Sequence, residues 1–563
     1  MHSLQEIILC NGCGKLADKI AKKVNATVVN NCDTKIEGFY AVIGCPALDT
    51  SNLLDYDVVD LNMIESKFDN PEKVAIAWIN SCLIKPEYET EVIEVGEDVV
   101  YSGDNLDLIF ELNHAANITV VTKNKKTIKN LYPFKIKTIS GEIRKVDGKI
   151  GNFDVYIDGI DLASGKRVNK IKASVVILPE GLVNEKVGIY TYGNEYKAAL
   201  KALNNLGKVI KIKTVEVNND ICGAIKSNIE GCSLCLACPT GSIERNERGI
   251  SINSESCVGC GFCSSICPIS AIQNKLIPSD LLIKKIDAVS NKNNVIAFVC
   301  QRALGDFYIY EGKFPSLLPI VVPCINSVSE VHYLYALCNS EGVIAVPCDC
   351  KYLKLDCFEI AKATLEAFGF GGLKLAKVDE IEDAFKEIKK ERKPKVSVKV
   401  EGKNKREAWL RIVEGLSSFP LVKEKFHLHS FGKIEIDENC SLCQTCSFFC
   451  PSEAITRDVD AGKIRFMHGL CIGCELCMKA CPENAIKIEK ILDFSSLAEK
   501  TIFEDEMIKC IYCGKPFMSK NAYEKVRKAS KLDKTLLFCP ECRPKAILES
   551  LYNEIIKEEK QGD

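Results

Sequence analysis

Three stretches of this sequence share one cysteine spacing, and that spacing limits what the chain around them can be. Residues 257–268 read CVGCGFCSSICP, residues 440–451 read CSLCQTCSFFCP and residues 471–482 read CIGCELCMKACP. Each is a complete C-x2-C-x2-C-x3-C-P run, the spacing of bacterial two-cluster ferredoxins. Three thiolates on one tight loop can grip three irons of a 4Fe–4S cube. The fourth cysteine starts a helix facing the other way and ligates the partner cube, and the proline after it suits that helix's first turn. Zinc knuckles supply cysteines two by two and would not use this spacing. The 440–481 pair therefore predicts two cubes. One is held by Cys440, Cys443, Cys446 and Cys481, the other by Cys471, Cys474, Cys477 and Cys450.

The 257–268 run has an irregular partner upstream, CSLCLACPTGSI at 232–243. Its CP-x-x-x-I tail matches CPISAI at 267 and CPENAI at 481, which makes Cys238 the exchanged ligand. One loop cysteine is then missing, and Cys222 is the available substitute. The expected sets are Cys222, Cys232, Cys235 and Cys267 on one cube, and Cys257, Cys260, Cys263 and Cys238 on the other. A decayed site holding a single cluster is the alternative. The two modules form an internal repeat.

The remaining cysteines matter because there are 31 in 563 residues. MHSLQEIILCNGCG has no basic n-region and no cleavage site, so export is not expected, and thiols in a cytoplasmic chain are metal ligands rather than disulfides. The most apolar run, 317–325, is interrupted by Pro319 and Pro323 and is far short of the ~20 residues of a membrane span, so no direct membrane insertion is expected. The net charge of −2 offers no broad field for a polyanion, and no nucleic-acid partner is expected. There is no Walker A loop, HExxH motif or Ser–His–Asp arrangement, and no catalytic residue is assigned.

Cys10, Cys13, Cys32 and Cys45 sit in a small α/β pattern: IILC as a strand, GKLADKIAKKV as a helix, YAVIGC as a second strand. From spacing alone this set fits 4Fe–4S or zinc equally. VIAFVC, LPIVVPC and VIAVPC read as buried parallel strands that carry Cys300, Cys324 and Cys348 to their carboxyl ends, where open α/β sheets place their sites. Cys350 and Cys357 follow closely, while Cys82 and Cys338 are left over. CIYCGKPF at 510–517 and FCPECR at 538–543 form two knuckles, so Cys510, Cys513, Cys539 and Cys542 predict a zinc site, with a rubredoxin-like iron as the alternative. The final helix, AILESLYNEIIKEEK, is expected to lie on this ribbon.

Two resemblances sharpen the reading. IILCNGCG, AVIGCPALD and VAIAWINSC resemble the N-terminal domain of the A-type subunits of heterodisulfide reductase, which implies a 4Fe–4S cluster there. IRKVDGKIGNFDVYIDG at 143–159 and IKASVVILPEG at 171–181 are similar to that family's flavin domain. The family's G-x-G-x-x-G, however, is Tyr101, Gly103 and Leu106 here, and glycine is what lets backbone approach a pyrophosphate. This implies a shrunken Rossmann-like remnant without FAD. The 293–385 stretch resembles the delta subunit of methyl-viologen-reducing hydrogenase, which implies one 2Fe–2S cluster on Cys300, Cys324, Cys348 and either Cys350 or Cys357.

The expected architecture is multidomain, α/β plus α+β. It comprises an N-terminal iron–sulfur domain (1–92), the flavin-domain remnant (93–215), ferredoxin module 1 (216–285) and a parallel α/β delta-subunit-like domain (291–386). A charged linker (387–432), ferredoxin module 2 (433–492) and a zinc ribbon with the terminal helix (505–563) follow. The expected function is an electron-transfer subunit with four to five 4Fe–4S clusters, one 2Fe–2S cluster and one zinc. Its expected partners are catalytic and electron-transfer subunits of a hydrogenase, formate dehydrogenase or heterodisulfide-reductase-like complex. One alternative is a flavin-containing electron-splitting subunit; the other is a non-redox scaffold or nucleic-acid module.

Overall fold

The computed structural model describes residues 5–12, 15–30, 35–45, 49–179, 188–254, 256–315, 317–529 and 535–561. The chain opens as a parallel sheet ordered Thr27–Val29, Gln5–Cys10, Lys35–Ile43, Asp49–Val58. Helix Leu16–Val24 buries Leu16, Ala17, Ile20, Ala21 and Val24, one stripe at helical spacing. Helix Pro71–Leu83 buries Trp78 at 1% exposure.

The chain then leaves and re-enters through an antiparallel pair, Thr90–Val95 with Gly207–Ile212. Between these strands lies a lobe with its own apolar core. Its sheet runs 167–173, 152–161, 137–149, 117–122, 98–102, 175–179, 189–192. Strands 98–102, 117–122, 175–179 and 189–192 are parallel, and the hairpin of strands 137–149 and 152–161 is antiparallel. Strand Asp98–Ser102 leads through a short turn into helix Leu106–Ala115.

The two ferredoxin-type modules share one plan. An antiparallel pair frames each, Val215–Val217 with Ile272–Asn274 and Lys433–Ile436 with Ile486–Glu489. A short hairpin lies inside each, Ile243–Asn246 with Gly249–Ile252 and Ile455–Asp458 with Lys463–Phe466. Between the modules in sequence, a parallel sheet runs Leu317–Val322, Val295–Cys300, Gly342–Val346, Leu373–Leu375. Its central strands are buried along their whole length, as strands covered on both faces must be.

The linker expected over 387–432 needs correction. Helix Lys405–Leu416 lies in the main core with Trp409 and Leu416 at 0% exposure, and Trp409 Nε1 donates to Thr364 Oγ1 at 3.1 Å. Charge in this segment is segregated rather than uniform: Arg411 pairs with Glu414 on the solvent side, while Trp409, Ile412, Val413 and Leu416 make an i, i+3, i+4, i+7 stripe. That stripe runs past residue 409 and is lost when the charged stretch is read by composition.

At the C-terminal end, strands Met507–Lys509 and Pro516–Ser519 precede helices Lys520–Ala529 and Arg543–Gln561. Tyr512 donates to Glu549 at 3.3 Å, but Leu548, Leu551 and Tyr552 of the last helix stay exposed. No helix among the described residues is long and apolar enough to cross a membrane.

Candidate metal centres

The loop of each complete run is bent by one device. The residues on either side of the central cysteine take left-handed backbone: Gly259 and Gly261, Leu442 and Gln444, Gly473 and Glu475. Left-handed φ costs about 1–2 kcal/mol for a residue with a Cβ, yet Leu442, Gln444 and Glu475 adopt it. The bend turns backbone N–H groups toward the sulfurs, as Phe262 N–H does for Cys260 and Leu476 N–H for Cys474. In two of the three runs the fourth cysteine is met by the N–H four residues on, Ala271 to Cys267 Sγ at 3.3 Å and Ala485 to Cys481 Sγ at 3.4 Å.

Module 2 brings its thiols together in two exchanged sets. Cys446 is in electrostatic contact with Cys440, Cys443 and Cys481, and Cys474 with Cys471 and Cys450. Module 1 does the same with its irregular run. A hairpin, Ile225–Lys226 with Ile229–Glu230, folds Cys222 back beside Cys232, closed by Cys232 N donating to Gly223 O at 2.7 Å. Cys235 is then in electrostatic contact with Cys232, Cys267 and Cys222, and Cys263 with Cys257, Cys260, Cys235 and Cys238, so the two sets of module 1 lie next to one another. Burial pushes Cys232, Cys235, Cys446 and Cys474 up to about 12, so these thiols ionise only with a cation among them. Convergent thiols with N–H donors aimed at sulfur fit a thiolate-bound cluster.

In the parallel sheet, Cys300 lies beside Cys324 and Cys348, and the neighbouring Cys324 thiol holds the Cys300 thiol below its ordinary range. Cys348 in turn contacts Cys350. Cys357 lies elsewhere, buried beside Ser265 and Glu330, and burial pushes it up to about 12. Cys82 and Cys338 are buried, and burial pushes both up to about 12.

At the N-terminus, Cys10 ends one strand, Cys45 lies just beyond the end of its parallel neighbour, and the two share one apolar cluster. Both line a small cavity with Gly44 and Asp60. Cys13 and Cys32, the other two cysteines of that expected set, lie outside the described residues.

The sulfurs of Cys510, Cys513, Cys539 and Cys542 all lie within 4.8 Å of one another, with Cys513 and Cys539 at 3.8 Å. A tetrahedron with metal–sulfur bonds of ~2.3 Å has edges of about 3.8 Å. Cys539 N–H donates to Cys510 Sγ at 3.3 Å. The knuckle unit is fastened to module 2: Ser519 donates to Ser441 O at 2.9 Å and Lys525 to Asn439 O at 2.6 Å.

The lobe between residues 95 and 207 places Tyr101 near the end of its strand with 0% exposure. Its ring stacks on Tyr192 at 6.3 Å and lies against Gly103, where a Cβ would strike it. Leu106 opens the following helix and packs on the lobe's core. Glu180 and Gly181 lie outside the described residues.

These thiol groups form a succession that no spacing reveals. Cys324 is in electrostatic contact with Cys260, and Ser265 Oγ donates to Asn326 O at 2.6 Å, so the parallel-sheet thiols adjoin the 238/257/260/263 set. Cys232 is in contact with Cys474, so the inner sets of the two modules adjoin one another. A patch of Ile269, Ala271 and Ile472 seals that junction.

The comparisons agree with the cysteine chemistry. Residues 439–486 match the 4Fe-4S dicluster domain family and residues 250–273 the 4Fe-4S binding domain family. The chain is 40% identical over 57 residues to pyruvate synthase subunit PorD of Methanocaldococcus jannaschii, covering 10% of this chain and 65% of that one. It is 36% identical over 59 residues to PorD of Thermotoga maritima, covering 10% and 59%. It is 39% identical over 64 residues to indolepyruvate oxidoreductase subunit IorA of Archaeoglobus fulgidus, 10% of each chain. The chain spans less than two thirds of each of these relatives. It is a multidomain iron–sulfur protein with two ferredoxin-type 4Fe–4S domains and a four-cysteine group near its C-terminus.

Proposed function

We propose that this chain is the cluster-carrying electron-transfer subunit of a multi-subunit oxidoreductase. The observation that carries this reading is the succession of thiol groups, from the parallel sheet through module 1 to module 2, each near enough to feel the charge of the next. Bound clusters supply one-electron redox capacity at low potential. The chain's own residues hold the thiol sets in order, aim N–H groups at the sulfurs and exclude water from the inner junction with Ile269, Ala271 and Ile472. Exposed Cys443 leaves the far end of module 2 open toward a partner. The named relatives are subunits of pyruvate synthase and indolepyruvate oxidoreductase, which supports a subunit role.

In this reading module 1 holds cubes on 222/232/235/267 and 238/257/260/263, and module 2 on 450/471/474/477 and 440/443/446/481. The parallel sheet holds a 2Fe–2S cluster on Cys300, Cys324, Cys348 and Cys350, because Cys350 lies beside Cys348 and Cys357 does not. Cys10, Cys13, Cys32 and Cys45 hold a fifth cube, and the terminal group holds zinc. Tyr101, buried against Gly103, would crowd a pyrophosphate at this turn, so in this reading the lobe works without FAD and the flavin-containing alternative is disfavoured. The partners are the catalytic and electron-transfer subunits of a hydrogenase, formate dehydrogenase or heterodisulfide-reductase-like enzyme.

The experiment is anaerobic reduction of the reconstituted chain followed by electron paramagnetic resonance. Adjacent reduced cubes broaden one another's signals through spin coupling. Isolated, uncoupled signals would overturn the relay.

A further inference from the structure

Helix Lys405–Leu416 enters the junction between the ferredoxin modules, and its second residue is a buried cation. Arg406 is 1% exposed. Its backbone N–H donates to Pro268 O at 2.9 Å, one residue after Cys267 of module 1. Its Nη2 donates to Ser430 O at 2.7 Å, and its guanidinium carbon lies 3.6 Å from the Phe431 ring centroid, on the approach to module 2. Nε and Nη1 are buried and find no hydrogen-bond partner. Among the described residues no carboxylate is within ion-pair distance of it; the nearest acid in electrostatic contact, Glu330, is taken by Lys405 at 2.8 Å.

A buried charge left in this way is strongly unfavourable unless something anionic lies beside it. Burial lowers Arg406 from its ordinary value, but a guanidinium stays charged at neutral pH. After Glu330, the groups that feel its charge most are the thiols of Cys471 and Cys232. One belongs to the inner set of module 2, the other to the inner set of module 1. Four thiolates around a 4Fe–4S core leave the whole cluster negative, and net charge sets its potential. Cubes on these two thiol sets would supply the counter-charge that Arg406 lacks.

We propose that Arg406 is the positioning residue of the inter-module crossing. Its charge offsets the two inner cubes together, raises and matches their potentials, and keeps electrons moving between modules. The crossing is a one-electron exchange in which one cube is oxidised and its neighbour reduced, with no bond made or broken; the electron comes from an external low-potential one-electron donor. This role rests on the relay proposed for the chain as a whole.

The test is a redox titration followed by electron paramagnetic resonance on the full chain with its clusters, comparing wild type, Arg406→Gln and Arg406→Lys. In Arg406→Gln two cube potentials fall and the others stay, the reduction equilibrium constant of the two dropping about tenfold, or 59 mV for one electron. Arg406→Lys keeps the charge and restores both potentials. Unchanged potentials in Arg406→Gln with iron retained would overturn the proposal, as would equal shifts in the two variants. If Arg406→Gln loses iron, Arg406→Lys decides. Retained iron with near-wild-type potentials supports the role of charge, and loss of iron there too overturns it. Wild type lacking cubes altogether sinks the relay itself, which iron analysis shows before any titration.

Discussion

Cys232 of the first ferredoxin-type module and Cys474 of the second are in electrostatic contact across a sealed patch of Ile269, Ala271 and Ile472. They stand far apart in sequence, and the contact joins two modules that could otherwise act independently. It makes the order of the thiol groups along the molecule a property that mutation can interrupt.

Full loading is the first test of that order. Anaerobic analysis of wild type gives ~20 irons from cubes and ~2 from a 2Fe–2S cluster per chain. Eight irons or fewer would end the chain-of-clusters reading. Cys477→Ser breaks or distorts the cube on 450/471/474/477, lowers iron by up to ~4, leaves zinc unchanged and stops electrons from passing between modules. Reduction of the 440/443/446/481 cube by electrons entering at module 1 is the readout.

Flavin content is the second. With Tyr101 buried against Gly103 and Tyr192, anaerobically purified protein carries no stoichiometric FAD. Acid extraction and counting measure it. One FAD per chain would move the protein to the flavin-containing, electron-splitting class.

The terminal site separates from the relay in a third measurement. Cys513→Ser removes one thiolate of the tetrahedron, and metal affinity in such a site is folding free energy. Zinc falls, protease resistance of the last ~55 residues falls with it, and the cubes stay reducible. Loss of one iron instead of zinc would make the site rubredoxin-like.

His468 sets a pH dependence. Its ring is at 0% exposure, accepts at Nε2 from Asp493 N–H (2.9 Å) and donates from Nδ1 to Gly432 O (3.0 Å). Burial pushes it down to about 4 from the ordinary 6.5. Between these values the unfolded chain takes a proton that the folded chain refuses. Its contribution to stability is thus complete above pH 6.5 and declines as pH falls toward 4. Each pH step of one across that window removes at most about 1.4 kcal/mol. Urea midpoints fall between pH 7 and 5.5 in wild type and fall less steeply in His468→Gln. Equal slopes would refute the assignment.

The sequence by itself determined the chemistry. Cysteine spacing is local, so the three complete runs and the terminal knuckles were legible without a fold, as were the strands that lead to Cys300, Cys324 and Cys348. The stripe of the 405–416 helix was also present, in Trp409, Ile412, Val413 and Leu416, but the charges around it hid it. Only the tertiary structure decided which thiol group adjoins which, that Cys350 and not Cys357 lies beside Cys348, and that Arg406 enters the inter-module junction with Nε and Nη1 unsatisfied. The physical reason is range. A metal loop is specified by a handful of consecutive residues, whereas adjacency between clusters and the counter-charge of a buried arginine are set by packing between segments hundreds of residues apart.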